Sequence, residues 1–428
     1  MINFILFGSF FVMLFLNIPI CVSLGMSSIF AMLYSGDKLS IVPTNVYNGM
    51  AKFLLLAIPF FVLSGNIMAK AGISTRLVQF IDDCIGHRRG GIAIVCVVVA
   101  CFFGAISGSG PATTAAVGSM CIPFMVEMGY EKRWSAGLIA VAGGLGVIIP
   151  PSIPFVLYSL ATGVSTGDLF LAGVIPGILI GVFMMAYAVI FCITKGEDKQ
   201  RIRAKMSELR GNGFLKLFAD SFFALLCPII VLGGIYSGIV TPTEAACVSV
   251  FYALFVSLVV YRSITLKDLI PFLASSVKTY GGLAFVLAFA TAFGRVLSLT
   301  RATKVIEDFI VGNFTTSWSV LSVLVILFLI LGMVMDTGPA IVILAPILLP
   351  AVQALGVDSV HFGVILVCCL SIGLATPPFG LDLFVAGNLA EEPPMAVAKR
   401  AVPFIIAFLL ALALITYVEP VSLALLGR

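Results

Sequence analysis

Apolar residues run through this chain in long unbroken stretches instead of the stripes of a water-soluble helix. The stretches fall at about 4–34, 53–69, 91–106, 135–163, 169–193, 228–262, 270–297, 317–334, 360–387 and 401–426. Runs of roughly 20 apolar residues predict membrane-crossing α-helices, not the shorter alternating strands of a barrel. Two further segments, 107–129 and 336–356, are bracketed by Gly and Pro. They read as re-entrant helical hairpins, which a membrane tolerates where they are buried in protein or line a cavity. Stretches 71–88 and 213–227 mix charge into apolar sequence and read as interfacial helices.

Composition removes most other classes. Of 428 residues, 61% are hydrophobic and 10% are charged, and mean hydropathy is +1.19. So few charges cannot cover a soluble protein's surface, and disorder, fibrous repeats and nucleic-acid binding are excluded with it. The ten cysteines fall mostly inside apolar runs with no CxxC, which reads as small core residues instead of metal ligands or disulfides. No Lys or Arg precedes Lys38, so the first apolar run is expected to be a span, not a cleaved signal.

The chain repeats itself. Ser109-Gly110-Pro111-Ala112 matches Thr337-Gly338-Pro339-Ala340, Gly146 matches Gly373, and Pro150-Pro151 matches Pro377-Pro378. Upstream, Ser64-Gly65-Asn66 falls opposite Phe293-Gly294-Arg295, and Cys21-Val22-Ser23 opposite Cys247-Val248-Ser249. The offset stays between 226 and 229 residues throughout. Residues 1–194 therefore form one repeat and 228–428 a second, with a basic linker and interfacial helix over 195–227. If 4–34, with its break at Asn17-Ile18-Pro19, and 228–262, with its break at Thr241-Pro242, are each one broken span, a repeat has five crossings. The second repeat then starts inverted, as in many secondary transporters. With the N-terminus outside, 15 Lys and Arg fall on cytoplasmic connections and 8 outside, as the positive-inside rule asks. Both termini are then periplasmic.

A transporter needs polar atoms near mid-membrane, and broken helices supply them as unwound carbonyls and half-helix ends. The candidates are the two hairpins and the two Pro-Pro breaks, Gly143–Ser152 and Gly373–Pro378, where a Pro pair removes amide donors. Ser107 and Ser109 at one tip, and Asp336 and Thr337 at the other, carry oxygen ligands. Asp336 is costly in a membrane unless paired or ion-bound, and it also suits a helix N-cap. Arg295 stands in an otherwise uncharged run opposite the neutral Asn66. It breaks the symmetry as an anionic substrate would require, or it snorkels to the interface. Gly173, Gly177 and Gly181 form a helix-packing series, Glu244 suits a cap after Thr241-Pro242, and His87 and His361 read as surface or interface residues. No nucleophile–base pair suggests an enzyme.

The stretches SGSGPATTAAVGSM, AGGLGVIIPPSIPFVLYS, MDTGPAIVILAPILLP and GLATPPFG resemble the large membrane subunit of tripartite ATP-independent periplasmic (TRAP) transporters. The resemblance covers nearly the whole chain. It implies an all-α polytopic protein with discontinuous helices, of the superfamily with two re-entrant hairpins. It also implies a Na⁺-driven, elevator-type importer in the bacterial inner membrane. A separate small membrane subunit of about four spans and a periplasmic substrate-binding protein would be its partners. Carried over to matching positions, one Na⁺ site would use Ser107, Ser109, Gly146, Ile149 and Pro151. A second would use Gly332, Asp336, Gly373, Thr376 and Pro378. Ser109, Ser152, Arg295 and Asp336 would face the substrate. The FGRVLSLT stretch around Arg295 resembles members that carry sialic acid, while C4-dicarboxylates and other sugar acids stand as alternatives. A stand-alone Na⁺/anion symporter of the same superfamily is the other transporter reading. A channel is the alternative class, though two inverted hairpins give a channel no advantage.

Overall fold

The computed structural model describes residues 1–86, 88–195, 214–314 and 316–427, and every regular element among them is helical. The first repeat contains α1 (Ile2–Phe15), α2 (Ile20–Ser35), α3 (Ile41–Met50), α4 (Ala57–Lys70), α5 (Ile73–Ile85) and α6 (Gly91–Ser107). It continues through α7 (Gly110–Glu127), α8 (Lys132–Gly143), the short α9 (Leu145–Ile148), α10 (Ile153–Thr162) and α11 (Thr166–Lys195). The second contains α12 (Phe214–Tyr236), α13 (Pro242–Phe255), α14 (Leu269–Leu299), α15 (Ala302–Asn313) and α16 (Ser317–Gly332). It continues through α17 (Thr337–Ala354), α18 (Ser359–Gly373), α19 (Leu381–Leu389), α20 (Pro394–Tyr417) and α21 (Pro420–Leu423). The helices pair off at the expected offset: α5 with α15, α6 with α16, α7 with α17, α8 with α18, α10 with α19 and α11 with α20. The 31-residue α14 is the counterpart of α3 and α4 together.

Two expectations change, and they offset each other. Segments 4–34 and 228–262 do not run as single broken spans. Phe7 and Phe10 of α1 pack on Phe293 at 6.2 and 5.6 Å between ring centroids. Gly25 of α2 lies against Phe289 of the same helix, where a Cβ would come within 2.7 Å. Both α1 and α2 therefore cross α14 at one level, which requires the chain to reverse between them. Asn17, with φ of 61°, makes that reversal, as Asn does more readily than a bulky residue. In the second repeat Tyr252 of α13 donates its hydroxyl to the Phe223 carbonyl of α12 at 2.6 Å, so these two helices also fold back on each other.

The second change concerns the hairpins. Segment 91–106 is not a crossing. It is the first arm, α6, of a hairpin whose second arm is α7, and Cys96 of one arm lies beside Cys121 of the other. Segments 107–129 and 336–356 are each a tip plus a second arm; the hairpins span 91–127 and 317–354. Gly108 ends α6 with φ of 63°, and Pro111 stands in the first turn of α7, where a missing N–H costs nothing. The Gly-Pro pairs thus open a second arm instead of bracketing a hairpin. One crossing is gained at α1–α2 and one lost at α6, so each repeat keeps five: α1, α2, α3–α4, α8–α10 and α11, and their mates. The inversion survives.

Smaller differences follow from packing. Segment 213–227 is not a separate interfacial helix, because α12 continues through Pro228 to Tyr236. His361 is buried, with its ring nitrogens on Ser422 Oγ at 2.5 Å and the Thr416 carbonyl at 3.3 Å. The start of α18 is covered there by the end of α20 and by α21. His87, the basic residues between 196 and 213, and Arg428 lie outside the described residues. Glu244 does close a capping box with Thr241 at the start of α13, as its position suggested. Cys96, Cys121, Cys192, Cys227, Cys368 and Cys369 are buried without disulfides.

The core sits where helices break. Six described helical runs are long and apolar enough to cross a bilayer. A seventh run, Lys132–Ile148 with Ile153–Thr162, is bent by 42° at its break. Gly173 and Gly177 let α11 press on that break: a Cβ on Gly173 would lie 2.8 Å from the Ile148 carbonyl, and one on Gly177 would meet the Ile149 side chain. In the mate, Gly373 touches the backbone of Gly332 so closely that a methyl group has no room. Gly373→Ala should therefore cost about 1–3 kcal/mol through forced backbone movement. Gly233→Ala in α12, where nothing lies within 4 Å, should be neutral or slightly stabilising. Thermal unfolding of the two variants in detergent tests this; equal midpoints would argue against the close backbone contact.

Candidate functional site

The first tip is a knot of hard oxygens. The side chain of Ser107, which is buried, shares a hydrogen bond of 2.8 Å with Thr113 Oγ1. Thr113 in turn donates to the Ser109 carbonyl at 2.8 Å. The α9 backbone closes on this group: a Cβ on Gly146 would strike Thr113 Oγ1 and lie 2.9 Å from the Ser109 carbonyl. From the other side, a Cβ on Gly108 would lie 2.8 Å from the Pro151 carbonyl. The Ile153 amide donates to the Gly108 carbonyl at 3.2 Å. The tip is thereby stitched to the Pro150–Pro151 break, whose peptide is cis. Ser107, Ser109, Gly146 and Pro151 are brought together as expected. Ile149 starts the unwound stretch, with its side chain against Gly177. Thr113 was missed, although its position one turn after Ser109 on the helix that carries the tip was the available signal.

The second tip is built alike. Gly332 at the end of α16 meets Gly373 at the end of α18, backbone to backbone. Thr376 Oγ1 donates to the Ile372 carbonyl at 2.7 Å, and its amide to the Gly373 carbonyl at 3.0 Å. Asp336 caps α17 by accepting from the Thr337 amide at 2.7 Å and from its hydroxyl at 3.3 Å. The N-cap reading of Asp336 holds, and the same residue stands at the tip on the cavity wall. Pro378 follows Pro377 through a cis peptide, the mate of the first break.

Both tips open on one cavity of about 930 Å³. Its wall includes Ser107, Ser109 and Pro111 of the first hairpin, Asp336–Pro339 of the second, Asn66 and Lys70 of α4, and Thr279, Gly282 and Leu283 of α14. Of the residues expected to face substrate, Ser109 and Asp336 line this cavity. Ser152 does not: it is fully buried, bonds the Val147 carbonyl, and caps α10 by accepting from the Phe155 amide at 3.4 Å. Arg295 is exposed on α14 and stands outside the cavity wall. The basic residue that does reach the wall is Lys70. It was overlooked because a Lys at the end of an apolar run reads as an interface anchor.

The two broken helices are tied to each other. At their shared end, Arg133 pairs with Glu392 at 2.8 Å, Lys132 with Glu391 at 3.5 Å, and Arg400 with Glu131 at 2.8 Å. Such exposed pairs contribute little stability each, but together they tie the start of α8 to the α19–α20 turn. Deeper, Ser371 Oγ of α18 donates to the Gly144 carbonyl between α8 and α9 at 2.7 Å. The α4–α14 pair faces this block across the cavity, with Asn66 donating to Ser276 at 3.1 Å.

Comparison with known proteins agrees with this architecture. Residues 7–421 match the family model described as tripartite ATP-independent periplasmic transporter, DctM component. The chain is 40% identical over 405 residues to the C4-dicarboxylate TRAP transporter large permease protein DctM of Pseudomonas aeruginosa, covering 94% of this chain and 93% of that one. It is 32% identical over 414 residues to the sialic acid TRAP transporter large permease protein SiaM of Vibrio cholerae, covering 96% of each. It is also 37% identical over 424 residues to the isethionate TRAP transporter permease protein DctMQ of Oleidesulfovibrio alaskensis, covering 99% of this chain but 66% of that one. Among solved structures, the YdaH transporter of Alcanivorax borkumensis superposes with a TM-score of 0.58 at 12% identity, over 88% of this chain and 86% of that one, a likeness of fold. A polytopic inverted repeat with two hairpin tips on one cavity, matched along nearly its whole length, places the chain in the DctM family: it is a large membrane subunit of the TRAP transporters and not an enzyme.

Proposed function

We propose that this chain is the membrane subunit of a Na⁺-coupled, elevator-type importer of small organic acids. It takes substrate from a periplasmic binding protein and works beside a small membrane subunit. The observation that supports this best is the meeting of two symmetry-related hairpin tips at one cavity of about 930 Å³. Each tip carries carbonyl and hydroxyl oxygens at the cavity wall, a donor set that suits a hard monovalent cation. The first would hold Na⁺ with Ser107, Ser109, Thr113, Gly146, Ile149 and Pro151, the second with Gly332, Asp336, Gly373, Thr376 and Pro378. The relatives are named for C4-dicarboxylates, sialic acid and isethionate, all small organic acids. The FGRVLSLT stretch that pointed to sialic acid lies on α14 away from the cavity wall in this conformation, so the reading stops at that class.

The revised crossings reassign many charges. Among the described residues, Lys70, Arg76, Arg88, Arg89, Lys132, Arg133, Lys195, Lys216, Arg262, Lys267, Lys399 and Arg400 fall on one side, with Lys52, Lys278 and Arg295 inside spans. Lys38, Arg301 and Lys304 fall on the other. Twelve against three is a steeper positive-inside bias than the ten against seven that the unrevised topology gives over the described residues, and it keeps both termini periplasmic. The bases of the first and second hairpins then face inside and outside, respectively. The cavity, which extends past Lys70 and Gly72, faces the cytoplasm. Asn66 lines it while its repeat mate Arg295 does not. When inverted repeats exchange roles in the opposite conformation, Arg295 comes to line the outward cavity, where its guanidinium would meet the incoming carboxylate.

Cysteines introduced at Lys267 and Lys304 in a Cys84→Ser background should label from the cytoplasmic and periplasmic faces, respectively. The unrevised topology puts them the other way round, so the labelling pattern decides between the two. Arg295→Ala should lower uptake roughly 10- to 150-fold, the loss of a charge-assisted contact of about 1.5–3 kcal/mol, with the small subunit still co-purifying. Wild-type uptake in that variant would remove Arg295 from substrate binding.

Two Na⁺ with a monoanionic substrate move at least one net positive charge inward. Each such charge gains about 2.3 kcal/mol per 100 mV of membrane potential. Uptake into proteoliposomes with the binding protein added should therefore be sigmoidal in Na⁺ and rise with an inside-negative potential, and Ser107→Ala and Thr376→Ala should each raise the Na⁺ requirement. A hyperbolic Na⁺ curve, or indifference to the potential with a monoanionic substrate, would argue against two coupled sites.

A further inference from the structure

Among the described residues, Lys70 is the one basic side chain on the cavity wall, and Asp336 at the second tip is the one acidic one. Lys70 has no carboxylate partner among the described residues. It stands in the last turn of α4, where a Lys complements the negative helix end whichever way it points around the axis. Here the direction is set. Val62, Asn66, Ala69 and Lys70 follow one another at intervals of three and four, share a face of α4, and that face lines the cavity.

The facing wall is α7. Ala112, Ala115, Ala116 and Ser119 line the cavity at the same intervals, while Thr113, Thr114, Val117 and Gly118 turn inward and are buried. Both helices lead from the tips toward the side that carries Lys70, so the space between them is a corridor with small side chains on one wall and an ammonium on the other. Neither feature repeats. At the offset of 229 that relates Asn66 to Arg295, Lys70 corresponds to Leu299. At the offset of 228 that relates the two tips, Ala115, Ala116 and Ser119 correspond to Ile343, Leu344 and Ile347. The symmetry of the fold therefore does not account for the charge or for the room beside it.

We propose that Lys70 forms an anion subsite on the release path. Its ammonium takes up the acid group of the substrate once that group has left the tips, and the small face of α7 leaves space for the rest of the molecule. An ammonium on a flexible stem is a mobile point charge without the fixed fork of a guanidinium, which suits a brief hold before release. The proposal rests on the import reading above and deepens it, by naming where the acid group is held on the cytoplasmic side.

The test places a cysteine at Ser119 in the Cys84→Ser background, with Cys84→Ser alone as the control. Its modification rates by an anionic (2-sulfonatoethyl) and a cationic (2-trimethylammonioethyl) methanethiosulfonate are compared at low salt. Lys70→Gln should lower the anionic-to-cationic ratio about three- to tenfold, as removal of one nearby charge would, and Lys70→Arg should keep it. Retention in Lys70→Arg separates loss of the charge from a general disturbance of the helix. Acetate, succinate, isethionate and sialic acid are then added, each against chloride at equal ionic strength. At least one should slow modification when Lys70 is present and none should do so in Lys70→Gln. An unchanged ratio in Lys70→Gln overturns the subsite, as does equal protection with and without Lys70, or protection by none of the four acids. Uptake by the wild type is measured alongside. Na⁺-independent uptake with the Lys70 effects intact overturns the coupled-import reading and leaves the anion subsite standing.

Discussion

An unwound helix inside a bilayer leaves amides and carbonyls that water cannot reach, and this fold is arranged around satisfying them twice. At the first break the tip of α6–α7 supplies the partners: the Gly108 carbonyl takes the Ile153 amide at 3.2 Å, and the Ser107–Thr113–Ser109 oxygens close against Gly146. At the second, α16 is pressed onto the end of α18 through Gly332 and Gly373. Backbone contact this close is possible because both surfaces lack side chains. It converts an energetic liability into a set of fixed carbonyls, the groups that the proposed Na⁺ sites would use.

That requirement also explains the allocation of helices. The breaks, the hairpins and the helices that cover them form one block, bound at its edge by the Arg133–Glu392 and Arg400–Glu131 pairs and inside by Ser371 on the Gly144 carbonyl. Against the cavity side of this block stand α4 and the long α14, with the α1–α2 fold-back packed on α14 through Phe7, Phe10 and Gly25. The polar atoms lie in the seam between block and frame, where relative movement would alternate their exposure. Symmetry supplies the two proposed Na⁺ sites, while a departure from symmetry, Asn66 opposite Arg295, marks where the proposed substrate charge would be met.

Much of this was legible in the residues. Near-continuous apolar runs required membrane helices, and the constant offset between Gly-Pro and Pro-Pro pairs required an inverted repeat. The oxygen-bearing residues at 107, 109 and 336 were identifiable because polar groups in apolar runs are expensive. The local outcomes at Thr241–Glu244 and Asp336 followed too, since a cap depends on neighbours within one turn. Errors arose where a segment's partner is distant. Whether Asn17-Ile18-Pro19 bends a span or reverses it depends on what α1 and α2 pack against. Whether 91–106 crosses or turns back depends on a mate at 110–127 of similar length.

The sequence alone therefore determined the class of solvent, the number of repeats and the chemistry available at their breaks, because each of these is written in composition and spacing. Tertiary structure decided the path of the chain between those points and the company each polar group keeps. It put Lys70 on the cavity wall, took Ser152 off it, and left Arg295 on the exposed face of α14. Burial and pairing are properties of surfaces that meet only after folding, and no local pattern along the chain encodes which surfaces those are.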